Sequence, residues 1–280
     1  MRFTKMHGAG NDYVYVNCFE ETVHDPAALA VKISRQHFGV GADGLVLIEP
    51  SPVADFGMRI FNADGSESEM CGNATRCIAK YVYERGLTDK TDIMLMTGAG
   101  LKELKLSVRG GKVESVRVDM GMPVFMPEAI PVQMQGETII NEPLTAGGVT
   151  YSVTCVSMGN PHCVVFVRDP YEVDIESIGP MLENHPAFPH RTNVEFVTVK
   201  ERDDIRMRVW ERGSGETLAC GTGACAALVA SVLTGKAGRE ACVHLPGGNV
   251  QVTWSAEDNH VYQEGGANFV FDGEWPDEDE

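Results

Sequence analysis

The sequence predicts an α+β fold built from two related halves, and three observations lead to this prediction. Strand-like segments are numerous and several are joined by tight turns, with only a few helical patterns between them, unlike a regular βαβ series. The chain has 280 residues, enough for one large domain or two of about 140 residues. Short motifs also recur at one constant separation, which is typical of a duplicated chain.

The first part of the chain alternates strand-like and helical patterns. Asp25 is a suitable N-cap for a helix with Pro26 in its first turn. The helical pattern continues to residue 38, and Gly39 is predicted to end the helix. The strand-like segments around this helix are residues 13–18, 45–48 and 58–61.

A second helix is predicted from about Gly72 to Arg85, closed by Gly86, and it is followed by a hairpin across residues 109–112. In the second half, the run 224–233 is apolar on all sides, which predicts a helix buried at the centre of that half. The predicted N-terminal half is residues 1–121, with residues 267–280 returning to it, and the predicted C-terminal half is residues 122–266.

Four motifs recur at a separation of 149 residues in one gapless register. We therefore expect two homologous halves that face each other, with a site at their junction. The matched pairs are Gly10-Asn11 with Gly159-Asn160, Met58–Phe61 with Met207–Trp210, Glu67 with Glu216, and Cys71-Gly72 with Cys220-Gly221.

The charge balance excludes some partners. The 23 basic and 40 acidic residues give a net charge of −17, which disfavours nucleic acids and membrane surfaces and leaves a small-molecule site open. Six of these negative charges lie at the C-terminus, which we interpret as a solvated end. They are Asp272, Glu274, Asp277, Glu278, Asp279 and Glu280.

The sequence also predicts a soluble cytoplasmic protein without a bound metal. The N-terminus has no apolar run typical of a signal peptide, and the run 224–233 is about half the roughly 20 residues that a bilayer requires. None of the eight cysteines forms a C-x-x-C pair, so structural zinc is not expected. An important cysteine should therefore act as a thiol.

Two of the cysteines, Cys71 and Cys220, stand directly before small residues that open a helix. A helix N-terminus carries about half a positive charge, so the thiol pKa is expected to fall from about 8.5 towards neutrality. Its unpaired N–H groups can hold a carboxylate. Two such ends around one amino acid would place a base on each face of the α-carbon, which suits 1,1-proton transfer. The N–H groups concerned are those of Gly72, Asn73, Gly221 and Thr222.

The remaining cysteines and one glycine-rich motif receive structural interpretations. The motif at residues 39–44 matches G-x-G-x-x-G, but a helix precedes it and a strand follows, so we reject a dinucleotide site and expect no cofactor. His162 is either a modulator of a nearby thiol or a hydrogen-bonded core histidine. Core packing is predicted for Cys18, Cys77, Cys155, Cys163, Cys225 and Cys242.

Six ordered motifs, covering essentially the whole chain, resemble those of the diaminopimelate epimerase family. They are HGAGNDYV at 7–14, MCGNATR at 70–76, MGNPHCV at 158–164, RTNVEFV at 191–197, WERGSGETLACGTGACA at 210–226 and LPGGNV at 245–250. The resemblance implies a homodimer in which each half wraps a mixed or antiparallel sheet around a central helix. It also implies cofactor-independent interconversion of LL- and meso-diaminopimelate, in lysine and peptidoglycan precursor biosynthesis.

Position by position, the resemblance makes Cys71 and Cys220 the acid/base pair, and His162 and Glu211 the groups that adjust thiol pKa. The resemblance also implies that the reacting carboxylate is bound by Gly72, Asn73, Gly221 and Thr222. The other implied substrate contacts are Asn11, Asn62, Asn160, Asn193, Glu211 and Arg212. One departure is Gly44, where many members carry a glutamine.

Two alternatives stay open at this point. A proline racemase or hydroxyproline epimerase would use a similar cysteine pair, but a cyclic substrate would leave Arg212 and the asparagines unpaired. An amino-acid-binding or thiol-redox module would use the cysteines for binding or sensing instead. Two thiols that share one α-carbon could form a disulfide when oxidised.

Overall fold

The computed structural model describes residues 1–276, and it has the predicted α+β architecture. The chain divides into two compact units. The first unit is Met1–Val118 together with the segment that begins at Glu264, and the second unit is Asp119–Gln263. Each division lies three residues before the boundaries predicted at 121 and 266. The acidic residues 277–280 of the predicted solvated end lie outside the described residues.

Four α-helices and eighteen strands are present in residues 1–276. The helices are α1 (Pro26–Ile33), α2 (Gly72–Glu84), α3 (Ile175–Glu183) and α4 (Gly221–Leu233). The strands are β1 (Arg2–Gly8), β2 (Asn11–Asn17), β3 (Gly44–Glu49), β4 (Phe56–Asn62), β5 (Glu67–Ser68), β6 (Asp92–Thr97), β7 (Gly100–Arg109), β8 (Lys112–Asp119), β9 (Glu142–Ala146), β10 (Val149–Ser157), β11 (Pro161–Phe166), β12 (Asn193–Glu201), β13 (Asp204–Glu211), β14 (Gly215–Thr217), β15 (Glu240–Leu245), β16 (Gly248–Trp254), β17 (Val261–Gly265) and β18 (Asn268–Glu274).

The first unit wraps a mixed sheet around α2. Strand β2 pairs antiparallel with β1 and parallel with β3, and β4 pairs antiparallel with β3 and β5 and parallel with β6. The antiparallel strands β7 and β8 continue from β6, and β18 pairs antiparallel with β1. Ten of the thirteen residues of α2 are buried, and the helix packs against β1, β2 and β7. This helix is therefore the core of its unit.

The second unit repeats this topology around α4. The pairs β10–β11, β12–β13, β13–β14 and β15–β16 are antiparallel, and β11–β12 and β13–β15 are parallel. Strand β9 pairs antiparallel with β10, as β18 pairs with β1. Helix α4 begins 149 residues after α2, has the same thirteen residues of length, and is buried from Gly223 to Ser231. The predicted pseudo-symmetric halves with central helices are confirmed.

The repeated Glu67 and Glu216 have a structural role. Arg59 donates to both carboxylate oxygens of Glu67, at 2.8 and 3.0 Å, where β4 pairs with β5. Arg208 makes the same fork with Glu216 at 2.7 and 3.0 Å, where β13 pairs with β14. This part of the sequence repeat therefore stabilises the turn that precedes each central helix.

Local signals at helix ends and turns gave mostly correct boundaries. Asp25 accepts the N–H of Ala28 at 3.0 Å and caps α1. Helix α2 ends at Glu84, one residue short of the predicted end, and Gly86 adopts a φ of 76°. The predicted hairpin joins β7 to β8 through two glycines with positive φ, as a two-residue turn requires.

The predicted end of α1 is wrong, because the helix stops at Ile33. The N–H groups of Val40 and Gly41 both donate to the Ile33 carbonyl, so the chain folds back over the helix end. A Cβ at Gly39 would lie 2.5 Å from the carbonyl oxygens of Lys32 and Ile33. Gly39 therefore permits this close return and does not cap the helix.

The core prediction holds for five cysteines, four of them buried and Cys18 half-buried against the core of the first unit, and it is wrong for Cys242. The buried ones are Cys77, Cys155, Cys163 and Cys225. Cys18 and Cys242 are half-buried. Cys242 shares the more exposed face of β15 with Glu240 and His244, because successive side chains of a strand point to opposite faces. Within residues 1–276, no helix is long and apolar enough to cross a membrane.

A first prediction concerns Glu84, the last residue of α2. Its carboxylate is 4% exposed and accepts from Lys80 at 2.7 Å, Lys112 at 2.8 Å and the N–H of Val113 at 2.9 Å. Burial opposes ionisation, but these donors outweigh it and lower the pKa of Glu84 to about 2. We expect Glu84→Gln to lower the free energy of unfolding by about 2 kcal/mol at neutral pH.

The sign of the pH dependence follows from the lowered pKa. The carboxylate contributes its full stability above the ordinary pKa of 4.5, and this contribution is lost as the pH falls towards 2. Urea unfolding of wild type and Glu84→Gln at pH 7 and pH 3 checks this. A difference in unfolding free energy that stays the same at both pH values would contradict it.

Candidate active site

The first candidate half-site surrounds Cys71 at the start of α2. Cys71 is the N-cap, with extended backbone angles, and its carbonyl accepts the N–H of Thr75 at 3.0 Å. The N–H groups of the next two residues lie in the first turn, where a helix offers no acceptor. The Cys71 thiol donates to Asn11 Oδ1 at 3.2 Å, and Asn73 Nδ2 donates to the same oxygen at 3.3 Å. The predicted residues Asn11 and Asn73 therefore meet at this thiol.

Asp43 determines which end of the Asn11 amide faces the thiol. Asp43 Oδ2 accepts from Asn11 Nδ2 at 2.7 Å and from the N–H of Asp12 at 3.1 Å. A carboxylate can only accept, so the amide nitrogen of Asn11 faces Asp43 and its oxygen faces Cys71. The sequence analysis missed Asp43, which is the only acidic residue of the glycine-rich motif at 39–44.

A buried arginine orients Asn73. Arg76 has no exposed surface, and its Nη2 donates to Asn73 Oδ1 at 2.6 Å. Its Nη1 lies 3.4 Å from the carbonyl oxygen of Gly72, so a guanidinium charge sits within the first turn of α2. This charge adds to the positive end of the helix dipole.

Two other positions of the first unit that the sequence analysis singled out, Asn62 and Gly44, make contacts that do not include Cys71. Asn62 Nδ2 donates to Ser66 Oγ at 3.0 Å, in the turn between β4 and β5. A Cβ at Gly44 would lie 2.0 Å from the carbonyl oxygen of Phe61. A glutamine at position 44 would therefore require this backbone to move.

The second candidate half-site surrounds Cys220, the N-cap of α4. Its carbonyl accepts the N–H of Ala224 at 3.0 Å, and its thiol sulfur accepts the N–H of Gly223 at 3.4 Å. Thr222 Oγ1 lies 3.5 Å from the same sulfur. Gly221 and Thr222 occupy the first turn, as Gly72 and Asn73 do in α2. Each of the two thiols thus lies at the N-cap of the central helix of its own unit.

The electrostatic surroundings of Cys220 are acidic. Burial raises the pKa of the Cys220 thiol well above its usual range, and the negative charges of Glu211 and Glu195 raise it further. The predicted fall of this pKa towards neutrality is wrong, because desolvation and two carboxylates outweigh the partial charge of the helix end. Burial also raises the pKa of Glu211, which hydrogen-bonds to Cys220 and accepts from Thr217 Oγ1 at 2.5 Å.

His162 is a buried histidine that links two residues of the site. Its Nδ1 lies 2.6 Å from Glu195 Oε1, and its Nε2 lies 2.9 Å from Asn160 Oδ1. Burial raises the pKa of Glu195. A Cβ at Gly223 would lie 2.9 Å from Glu195 Oε1 and 3.2 Å from the Cys220 sulfur, so glycine allows the acid and the thiol to approach. Glu195 was missed, although an acidic residue inside the apolar strand β12 was a usable signal.

Asn193 holds the backbone of Arg212. Asn193 is 3% exposed, its Nδ2 donates to the carbonyl of Pro161 at 2.9 Å, and its Oδ1 accepts the N–H of Arg212 at 2.9 Å. The Arg212 guanidinium donates to the carbonyl of His190 at 3.3 Å. Both ends of the Asn193 amide are thus used within the protein, and the residue positions Arg212.

The chain resembles known proteins along nearly its whole length. The family model described as diaminopimelate epimerase matches residues 3–126 and 154–270. The diaminopimelate epimerase of Acetivibrio thermocellus is 58% identical over 98% of each chain. That of Agathobacter rectalis is 54% identical over 98% of this chain and 99% of its own. One from Methanococcus maripaludis is 53% identical over the same shares.

Solved structures with low sequence identity share the fold. A phenazine biosynthesis protein of the PhzF family from Bacillus anthracis has a TM-score of 0.71 and 19% identity, over 98% of each chain. A hydroxyproline epimerase from Agrobacterium vitis has a TM-score of 0.70 and 17% identity, over 98% of this chain and 91% of its own. At these identities the likeness establishes the fold alone.

A second prediction follows from the acidic surroundings of Cys220. Removing the Glu211 charge should lower the pKa of the thiol, so Glu211→Gln should move the pH at which Cys220 is half-alkylated to a lower value. The measurement is iodoacetamide labelling over a pH series, with the Cys220 peptide quantified by mass spectrometry. Glu216→Gln is the control, because this carboxylate pairs with Arg208. An unchanged or higher labelling pH in Glu211→Gln would refute the effect.

Proposed function

The chain belongs to the diaminopimelate epimerase family, and from that premise we propose that it interconverts LL-2,6-diaminopimelate and meso-diaminopimelate by proton transfer at one α-carbon. One observation carries the chemistry: each unit presents a cysteine at the N-cap of its buried central helix. The proposal makes Cys71 and Cys220 the two acid/base residues, acting on opposite faces of the same α-carbon.

In this proposal the helix starts bind the reacting carboxylate. The first-turn N–H groups of residues 72, 73, 221 and 222 have no acceptor within their helices. Donors already oriented towards a carboxylate stabilise the negative charge that develops there when the α-proton leaves. The buried guanidinium of Arg76 adds a positive charge at one of the two ends. This is how the protein would stabilise a carbanion with its own groups.

Proton transfer then needs one thiolate and one thiol. The thiolate takes the α-proton and becomes a thiol, while the opposite thiol delivers its proton to the other face and becomes a thiolate. The number of protons on the pair is therefore unchanged after each turnover. The raised pKa of Cys220 supports the thiol form of that residue in the free protein. Cys220 would thus act as the acid in the half-reaction that starts from this state.

The second amino-acid end of the substrate would be held by polar groups and Arg212. A guanidinium binds a carboxylate through two parallel N–H groups, and a carboxylate such as Glu211 can accept from an ammonium. The proposed set for the substrate's remaining groups is Asn11, Asn62, Asn160, Asn193, Glu211 and Arg212, with Asn193 acting through Arg212. A cyclic amino acid has no second carboxylate for Arg212, which disfavours proline racemisation or hydroxyproline epimerisation.

The proposal extends to the setting of the enzyme. We propose a homodimer that works in the cytoplasm, in the biosynthesis of lysine and peptidoglycan precursors. The eight cysteines are free thiols. The two-thiol chemistry needs a reducing compartment, because oxidation of either thiol would remove an acid/base group.

A third prediction tests the reaction itself. Purified protein incubated with LL-diaminopimelate in D2O, without added pyridoxal phosphate or metal, should form the meso isomer with deuterium at one α-carbon. Chiral chromatography and mass spectrometry follow the two products. Absence of both exchange and epimerisation with authentic substrate would overturn the proposed function.

A fourth prediction tests the two thiols. Cys71→Ala and Cys220→Ala should each reduce the epimerisation rate by at least about a thousandfold, because each removes the base of one face. Cys242→Ala is the matched control, since Cys242 is a half-buried strand residue outside both helix starts. Epimerisation assays with circular dichroism check activity and fold together. A wild-type rate in either of the first two variants would assign that cysteine a structural role.

A further inference from the structure

A buried carboxylate beneath the turn that carries Arg212 has no role in the reaction described so far. Glu183, the last residue of α3, is 5% exposed. Its Oε1 accepts from the N–H of Gly213 at 2.9 Å and from Arg191 Nη1 at 3.1 Å. Its Oε2 accepts from the indole N–H of Trp210 at 2.7 Å. Both oxygens are therefore occupied by donors of fixed direction.

These donors lie on both sides of the dipeptide Glu211-Arg212. Trp210 precedes it at the end of β13, and Gly213 follows it with a φ of 81°. A Cβ at Gly179 of α3 would lie 2.5 Å from atoms of the Trp210 ring, so the indole rests directly on that helix. Helix α3 thus contacts the residues on both sides of the dipeptide, Trp210 before it and Gly213 after it.

The first unit provides an internal comparison. The positions 149 residues before Glu183, Asn193 and Arg212 are Ser34, Gly44 and Ala63. Ser34 Oγ is buried and has no hydrogen-bond partner among the described residues. The repeated topology therefore forms without a carboxylate at this position. The carboxylate is present in the unit whose turn carries an arginine.

We propose that Glu183 is a positioning residue that presents Arg212 to the second amino-acid end of the substrate. It acts through the backbone of residues 210–213 and does not touch the substrate. Asn193 fixes the N–H of Arg212 from another direction. A turn ordered before binding loses less conformational freedom when the ligand arrives. Glu183 would thereby set the affinity for substrates with a distal carboxylate, and this inference rests on the proposed function.

The test is Glu183→Gln, assayed with LL-diaminopimelate. An amide nitrogen would face at least one of the three N–H donors, so the turn should lose at least one of its contacts while both thiols and both helix starts stay in place. We expect KM to rise by about tenfold with kcat changed by less than about threefold, the signature of lost substrate binding. Hydrogen exchange of the N–H groups at residues 211–213 should become faster, with the turn at 63–66 unaffected.

Glu84→Gln is the matched control, because Glu84 is also a buried carboxylate that accepts from two side chains and one backbone N–H. It should lower stability without changing KM. If Glu183→Gln does not fold, Trp210→Phe removes one of the three donors and should raise KM by a smaller factor.

Three outcomes decide the matter. An unchanged KM in a folded Glu183→Gln protein overturns the proposal, and so does a fall in kcat as large as the rise in KM. A wild-type protein that is inactive on diaminopimelate refutes the proposed function instead. If the wild-type protein is inactive, hydrogen exchange still tests the anchoring role. Unchanged exchange at residues 211–213 in Glu183→Gln would refute that role, whereas faster exchange would support it and leave only the substrate unidentified.

Discussion

Each unit depends on one constraint: a helix is buried through its centre, and the first-turn N–H groups of that helix cannot be satisfied inside it. The strands pack against the apolar sides of α2 and α4, so the backbone N–H groups that still need an acceptor lie at the helix starts. A cysteine caps each start and leaves the following N–H groups available. The same constraint that closes the core therefore leaves N–H groups that can bind a carboxylate, and the proposed function uses them in this way.

The two units share a backbone plan but differ in electrostatics. Cys71 meets the amide of Asn11, whereas Cys220 is surrounded by the carboxylates of Glu195 and Glu211. The repeated topology accounts for the shared helix start, and the different side chains on the surrounding strands account for the difference. The proposed two-base reaction would benefit from this, because it needs one thiol protonated while the other is not. Burial and the carboxylates of two neighbouring strands thus raise the pKa of Cys220.

The net charge of −17 constrains how this protein can bind a substrate with two carboxylates. The protein as a whole does not attract an anionic substrate, so the positive potential that binds the carboxylates has to be local. In the proposed site, Arg76 would supply it as a fully buried guanidinium beside the start of α2, and Arg212 would supply it on a turn anchored by Glu183 and Asn193. Burial and anchoring matter here because a preorganised charge near the ligand is screened less by solvent.

The sequence by itself determined the α+β class, the repeat at 149 residues, the cap at Asp25, the hairpin at 109–112 and the cysteines at two helix starts. These features rest on local patterns, which neighbouring residues specify. Only the tertiary structure decided the end of α1, the acidic surroundings of Cys220 and the partners of Asp43 and Glu183. The end of α1 depends on how residues 39–41 fold back onto the helix, and the others depend on groups that are distant in the chain: the N–H of Gly213 lies thirty residues from Glu183, and His162 lies thirty-three residues from Glu195. Burial, which sets the pKa of Cys220, is likewise a property of the packed fold.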